Sequence, residues 1–220
     1  MITIEQLEQH KIIAIIRGLT PEQGRLTVDA LYQGGVRFVE ATMNTAGATA
    51  MIAEWREQYE QRMLIGAGTV LDLGMAKEAY AAGAQFLVTP NTDLDVIEYA
   101  LYKGIGIFPG AFTPTEIVDA WKAGATAVKL FPMSALGISY FKEIRAPLDQ
   151  IRIVPTGGIH LGNIAEFIQA GAYGLGMGNV LVNKDFITSG RYDKLSEAAT
   201  ALTEAVKASF SAHGSQSFRL

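Results

Sequence analysis

The 220-residue chain has no cysteine. That excludes disulfides, a thiolate nucleophile, and iron–sulfur or cysteine-zinc sites. Histidine is nearly absent too: His10, His160 and His213 are the full set. Two of them lie near the termini, so a three-histidine metal site is not expected, and no metal or cofactor is predicted. No stretch reaches the ~18 uninterrupted apolar residues of a membrane-spanning helix. The first ten residues lack the basic-then-apolar order of a signal peptide, and a cytoplasmic protein is expected. Net charge is −4 with no basic block, which argues against nucleic acid or a membrane surface as partner. No proline- or serine-rich linker interrupts the chain, so residues 1–220 are expected to form one domain.

What is present is a repeated unit. The segments Gln33-Gly-Gly-Val, Ala82-Gly-Ala, Lys103-Gly-Ile, Ala123-Gly-Ala and Ala170-Gly-Ala each follow an amphipathic stretch and precede a short apolar run. Glycine in that place suits the left-handed C-cap of a helix, and the run after it suits a buried strand. Helix starts are legible as capping boxes at Thr20-Pro-Glu-Gln23 and Thr113-Pro-Thr-Glu116, with Asn163-Ile-Ala-Glu166 as a third candidate.

Eight strands result: Ile12–Arg17, Phe38–Thr42, Met63–Thr69, Phe86–Thr89, Gly106–Pro109, Ala127–Phe131, Ile153–Thr156 and Gly174–Gly178. Their near-continuous apolar character fits a parallel sheet covered by helices. Eight strand–helix units predict a TIM (β/α)8 barrel with an extra leading helix over residues 1–10. An open doubly wound sheet is the weaker alternative. Residues 211–220 are polar and aperiodic, and are expected to be mobile or to pack on a neighbouring subunit.

One residue does not fit its strand. Lys129 sits inside Gly124-Ala-Thr-Ala-Val-Lys-Leu-Phe-Pro132, whereas the other eight lysines lie in polar stretches or at element ends. A buried ammonium is costly, so burial favours the neutral amine, which is a nucleophile toward carbonyl carbon. The other reading is a lysine at a strand end that snorkels to water.

In a barrel, chemistry collects at the C-terminal strand ends, which here read Arg17, Glu40, Thr69, Thr89, Pro109, Lys129, Thr156 and Gly178. If the faces Ile13/Ile15/Arg17, Phe38/Glu40/Thr42 and Ala127/Lys129/Phe131 point inward, then Arg17, Glu40 and Lys129 converge on one cavity. A structural ion cluster is the plainer reading, but an apolar filling is usually no less stable, so the trio suggests function. Arg17 and burial would lower the lysine pKa. The amine would then form an iminium with a ketone, and Glu40, the only acidic strand-end residue, would shuttle protons. The loops Pro155-Thr-Gly-Gly-Ile-His160 and Gly176-Met-Gly-Asn179 occupy the usual phosphate position of the fold, with paired glycines that admit an anion to backbone N–H groups. His160 is expected to face solvent.

With those residues on the page, the chain resembles the 2-keto-3-deoxy-6-phosphogluconate / 4-hydroxy-2-oxoglutarate aldolase family, including the 6-phosphogalactonate enzymes. Seven motifs in order carry the resemblance between about residues 11 and 185: Ile-Ile-Arg-Gly (15–18), Val-Glu-Ala-Thr-Met-Asn-Thr (39–45), Gly-Ala-Gly-Thr-Val-Leu (66–71), Val-Thr-Pro-Asn (88–91), Phe-Pro-Gly (108–110), Val-Lys-Leu-Phe-Pro (128–132) and Pro-Thr-Gly-Gly-Ile (155–159). The resemblance implies a metal-independent class I aldolase with Lys129 as Schiff-base lysine and Glu40 as proton donor and acceptor. It also implies that Arg17 and Thr69 contact the keto acid, and that Gly157, Gly158, Gly178 and Asn179 hold the distal phosphate, next to Thr156 at its strand end. Family members are commonly homotrimers. Asn44 stands where many gluconate-type members have arginine, and Asn179 where many have serine. An unphosphorylated 4-hydroxy-2-oxo acid is therefore the alternative substrate. Rival functions are a non-covalent phosphate-binding isomerase or synthase, and a catalytically dead sugar-acid sensor.

Overall fold

In the computed structural model, residues 4–214 are described, with side chains described through residue 210. The strands are β1 Ile12–Ile16, β2 Phe38–Thr42, β3 Leu64–Gly68, β4 Phe86–Val88, β5 Gly106–Phe108, β6 Gly110–Ala111, β7 Val128–Leu130, β8 Ile153–Pro155 and β9 Leu175–Met177. All pairings are parallel. One sheet runs β5-β4-β3-β2-β1-β9, and a second runs β6-β7-β8. Two seams join them into a ring. At one, Thr156 bridges Gly176 and Tyr173 N donates to Ile153 O at 2.9 Å. At the other, Thr126 N donates to Ile107 O at 3.0 Å and Lys129 N to Pro109 O at 2.9 Å. The ring is the expected TIM barrel.

The fifth expected strand, Gly106–Pro109, is observed as β5, and a further short strand outside the expected bounds, β6, follows Pro109. Proline has no N–H to give to the ladder, so Pro109 takes part only as an acceptor from Lys129 N, and regular pairing continues from Gly110 on the other side. Gly110 lies so close to the β4 side that a Cβ there would come within 2.3 Å of the Pro90 carbonyl carbon.

Around the ring lie α2 Pro21–Gln33, α3 Ala48–Tyr59, α4 Leu73–Ala81, α5 Leu94–Lys103, α6 Pro114–Lys122, α7 Gly137–Arg145 and α8 Ile164–Gln169, followed by α9 Lys184–Thr188 and α10 Tyr192–Gly214. Gly35, Gly83, Gly104, Gly124 and Gly171, the glycines of the repeated unit, all have positive φ, as a left-handed helix exit requires. Thr20 and Thr113 close reciprocal capping boxes with Gln23 and Glu116. The third candidate is not a box. Asn163 makes no cap bond to α8 and instead ties the preceding loop, accepting from His160 N at 2.8 Å and donating to Gly158 O at 2.9 Å.

Within its described residues the expected leading helix is a 3-10 turn, Ile4–Gln6, followed by α1 Leu7–His10. Its Leu7 is fully buried and plugs the bottom of the barrel. At the other end, α10 runs through Gly214, so residues 211–214, expected to be aperiodic, are helical, and residues 215–220 lie outside the described residues.

Alternation along the strands sorts the apolar residues into two layers. Ile12, Ala14, Val39, Ile65, Leu87, Ile107, Val128 and Leu175 face the helices. Ile13, Phe38, Leu64, Phe86, Phe108, Ala127 and Val154 fill the barrel interior, where Phe86 meets Phe108 edge-on at 5.7 Å. This plug seals the barrel beneath its mouth.

The Thr113 box predicts a measurable effect on stability. Thr113→Ala should lower the unfolding free energy by about 1 kcal/mol in a urea titration, with an unchanged m-value.

Candidate active site

Above the aromatic plug, the inward positions of the strands change from apolar to functional. Ile15 of β1, Glu40 of β2, Lys129 of β7, Thr156 after β8 and Gly176 of β9 line one narrow cavity, walled by Val88, Phe108 and Val154. Glu40 is 1% exposed and Lys129 5%. Each lies mid-strand, where the ladder fixes its backbone. Glu40 pairs with Ile15 on one side and Gly66 on the other, and Lys129 pairs with Gly110 and Val154.

Burial dominates the electrostatics. The Glu40 carboxyl is pushed up to about 7, first by desolvation, which the charges of Lys129 and then Arg17 only partly offset. The Lys129 amine is held below its ordinary value, again first by desolvation. Glu40 opposes that shift and Arg17 adds to it. Both groups are thus moved toward their neutral forms near neutral pH. Among the described residues no salt bridge joins them, and the ion pairs Arg25–Glu22, Arg25–Asp29 and Lys194–Glu197 all lie on helix surfaces. The Lys129 Nζ sits 5.0 Å from the centroid of the Phe131 ring, a half-exposed aromatic at the mouth, just before the cis Phe131–Pro132 bond.

Arg17 corrects the expectation that all three residues converge on one cavity. It follows the end of β1, is exposed, and donates from Nη2 to Thr69 Oγ1 at 3.1 Å. It therefore reaches the cavity only through its field, and stands at the rim where an anionic group would enter. Thr69 has φ +55, a left-handed conformation that a β-branched residue rarely adopts. Strain of this kind collects at functional sites.

The two glycine loops are brought side by side. Gly157 N donates to Gly176 O at 3.4 Å, next to the Thr156–Gly176 bridge. Gly157 and Gly158 have φ of +95° and +73°. Gly158 lies against Ser134: a Cβ there would be 2.9 Å from the Ser134 Cα. Gly178 has open space where a side chain would point. Asn179 is exposed and shares a recess with Asn183, Lys184 and Asp185, not the Lys129 cavity. Asn44 is exposed as well. Thr89 is buried but engaged: its hydroxyl donates to Asn91 O and accepts from Gly110 N at 3.2 Å, a structural tie between β4 and β6. His160 is exposed, as expected, and its Nδ1 accepts from Gly162 N at 3.1 Å.

Three features have no clear signal in the sequence. Ser134 sits on the 3-10 turn Met133–Ala135 that abuts the glycine loop. Phe131 shares the Lys129 face by alternation, but alternation gives no sign of its ring contact. Lys11 is a second buried lysine, its Nζ donating to Ala172 O at 2.7 Å at the opposite end of the barrel. Its place at a helix end carries no periodic signal of burial. Among the described residues no cluster of histidine, aspartate or glutamate is arranged to hold a metal ion.

A parallel barrel that buries an amine and a carboxyl together at its mouth has the groups that a Schiff-base lyase requires. The chain itself is a member of the KDPG and KHG aldolase family, whose match spans residues 3–198. It is 40% identical over 170 residues to the 2-dehydro-3-deoxy-phosphogluconate aldolase of Treponema pallidum, covering 76% of this chain and 80% of that one. It is 38% identical over 171 residues to the 2-dehydro-3-deoxy-6-phosphogalactonate aldolase of Escherichia coli, covering 77% and 83%. Its fold superposes with a TM-score of 0.81 and 27% identity on the KDPG aldolase of Legionella pneumophila, solved with pyruvate captured at low pH as a covalent carbinolamine intermediate. That match covers 88% of this chain and 94% of the other.

The Glu40 shift makes a thermodynamic prediction. Unfolded, the carboxyl ionises near its ordinary 4.5, and folded at about 7. Below 4.5 both states hold the proton and the shift costs nothing. Between 4.5 and 7 the folded state retains a proton that the unfolded state has lost, so stability declines as pH rises. Above 7 the full cost is present, about 3 kcal/mol for a displacement of that size. Glu40→Gln removes this titration. Relative to wild type, its unfolding free energy should rise by up to about 3 kcal/mol between pH 4.5 and pH 8, measured by denaturant melts across that range.

Proposed function

We propose that this protein is a class I aldolase that reversibly cleaves a 2-keto-3-deoxy-6-phospho sugar acid, of gluconate or galactonate type, to pyruvate and glyceraldehyde 3-phosphate. The observation that carries the reading is the burial of Lys129 and Glu40 in one cavity, with the amine shifted down and the carboxyl shifted up.

The neutral Lys129 amine attacks the C2 carbonyl to give a carbinolamine. Protonated Glu40 delivers a proton to the departing hydroxyl, and water leaves to form the iminium. The carboxylate then takes the C4 hydroxyl proton, through one water, as the C3–C4 bond breaks. The bonding pair moves into the iminium and gives an enamine, and the aldehyde departs. Glu40 returns its proton to C3, and hydrolysis of the resulting imine frees pyruvate and the amine. A carboxyl ionising near 7 serves as acid and base by turns without a change of environment. Arg17 and Thr69 anchor the substrate carboxylate at the rim. Thr156 lines the path of the reacting carbons. Gly157, Gly158, Gly178 and Asn179 offer donors to the distal phosphate, a role favoured by the left-handed glycines and the open space at Gly178. We further infer a cytoplasmic homotrimer. The exposed Leu94, Leu101 and Tyr102 of α5 support a subunit contact, and no helix among the described residues is long and apolar enough to cross a membrane.

Incubation with pyruvate and borohydride, followed by peptide mapping, is expected to place a pyruvyl adduct on Lys129. Lys129→Met should cut cleavage by more than about 1000-fold. An unmodified Lys129 peptide would reduce the lysine to an electrostatic donor in a non-covalent enzyme.

The phosphate subsite is tested separately by kcat/KM on phosphorylated and unphosphorylated keto acids. Two charge-assisted hydrogen bonds at the glycine loops should favour the phosphorylated substrate by about 100-fold or more. A ratio near one would make 4-hydroxy-2-oxoglutarate the better assignment.

A further inference from the structure

The flanks of Glu40 are unequal. On the β1 side its register partner is Ile15, a branched side chain that lines the same cavity. On the β3 side the inward positions are Gly66 and Gly68, opposite Glu40 and Thr42. The two glycines are not equivalent. A Cβ on Gly66 would lie 2.4 Å from the Phe86 ring, so that space houses part of the fixed aromatic plug. A Cβ on Gly68 would lie 2.2 Å from Glu40 Oε1, 2.6 Å from its Cδ and 3.2 Å from its Cγ. The Glu40 side chain therefore leans along its strand toward the mouth and rests its carboxyl group on the bare Cα of Gly68.

We infer that Gly68 is a positioning residue for the proton transfers: its missing side chain is the seat that holds the Glu40 carboxyl group inside the Lys129 cavity. The inference rests on the proton-shuttle role given to Glu40 above. Two features separate the seat from a plain folding requirement. Gly68 is not among the glycines of positive φ, so the strand backbone there accepts alanine. The atoms that a methyl would strike are also the far end of a flexible chain, not the backbone. An added methyl displaces the carboxyl and leaves the sheet in place. With Ile15 closing the other flank, the displaced group is driven toward the solvent-exposed rim, away from the cavity that raises its pKa.

Gly68→Ala, Glu40→Asp and the double variant form the test. Gly68→Ala is expected to fold and to yield the borohydride-trapped Lys129 adduct at saturating pyruvate. Deuterium exchange into the pyruvate methyl group and kcat for cleavage should fall by about 100-fold or more, with little change in KM. The pH-rate limb near 7 should move toward the ordinary carboxylate range. Aspartate withdraws the carboxyl by one methylene, so the added methyl should cost the Glu40→Asp enzyme far less than it costs wild type. Equal losses in both backgrounds, or a Gly68→Ala enzyme with wild-type exchange and an unmoved limb, overturn the proposal. If Gly68→Ala does not fold, restoration of the fold by Glu40→Asp supports the seat, and failure to restore it overturns it. The role of Glu40 stands or falls on a different variant. Full exchange activity in Glu40→Gln would remove that role while leaving the contact at Gly68 intact.

Discussion

The structure turns on the shared burial of one amine and one carboxyl. Neither Lys129 nor Glu40 could hold its charge alone in so dry a place, because an isolated buried ion costs many kcal/mol. The barrel supplies the dryness. Phe38, Phe86 and Phe108 seal the interior below, and Val88 and Val154 wall the cavity. Closing the sheet at the Thr156–Gly176 and Thr126–Ile107 seams is what makes that seal continuous. Opening either seam would admit water, relax both pKa shifts, and return an ordinary lysine beside an ordinary glutamate.

Charge is arranged by depth. Arg17 and the glycine loops stand at the rim, where water screens them and where an anionic substrate first arrives. Deeper in the mouth only Lys129 and Glu40 are ionisable among the residues lining the cavity. An arginine carried into the cavity would keep Glu40 ionised and deprive it of its acid form. Held at the rim, the same guanidinium trims the upward shift of Glu40 without reversing it and adds to the downward shift of Lys129. The left-handed Thr69 is the local cost of keeping Arg17 there, since its hydroxyl is the partner that orients the guanidinium.

Much of this is legible in the sequence, because the signals are periodic or steric. The glycine at each helix exit marks the strand that follows, and Gly35, Gly83, Gly104, Gly124 and Gly171 all adopt the positive φ that the reading requires. Alternation along β2 and β7 places Glu40 and Lys129 on the inner face. What stays hidden depends on neighbours distant in the chain. Asn163 looks like a helix cap, but its side chain is taken by His160 N and Gly158 O. Pro109 visibly interrupts its strand, but that β5 pairs with β4 while β6 pairs with β7 is a fact of closure and not of local pattern. Arg17 shares parity with Ile13 and Ile15, yet β1 ends at Ile16, and one residue past a strand parity no longer fixes direction. Lys11 is buried with its amine bonded to Ala172 O, 161 residues away in the chain.

A carboxyl that ionises near 7 is a poor contributor to stability, since above that pH its burial works against the fold. An apolar side chain at position 40 would fill the same space without that penalty. The arrangement is accounted for by the proposed reaction. Carbinolamine dehydration needs an acid, C–C cleavage needs a base, and enamine protonation needs an acid again, all within one turnover at one pH. A carboxyl at its ordinary value would serve almost wholly as base, and one buried without a nearby cation would serve almost wholly as acid. Desolvation raises Glu40, and Lys129 and Arg17 pull it back to the point where both forms are populated. The opposing shifts on Glu40 and Lys129 also let a proton pass between carboxyl and amine without changing the charge inside the barrel. In the proposed mechanism it is this balance, set by how deeply the pair is buried and how far out Arg17 is held, that would let one carboxyl carry every proton in the cycle.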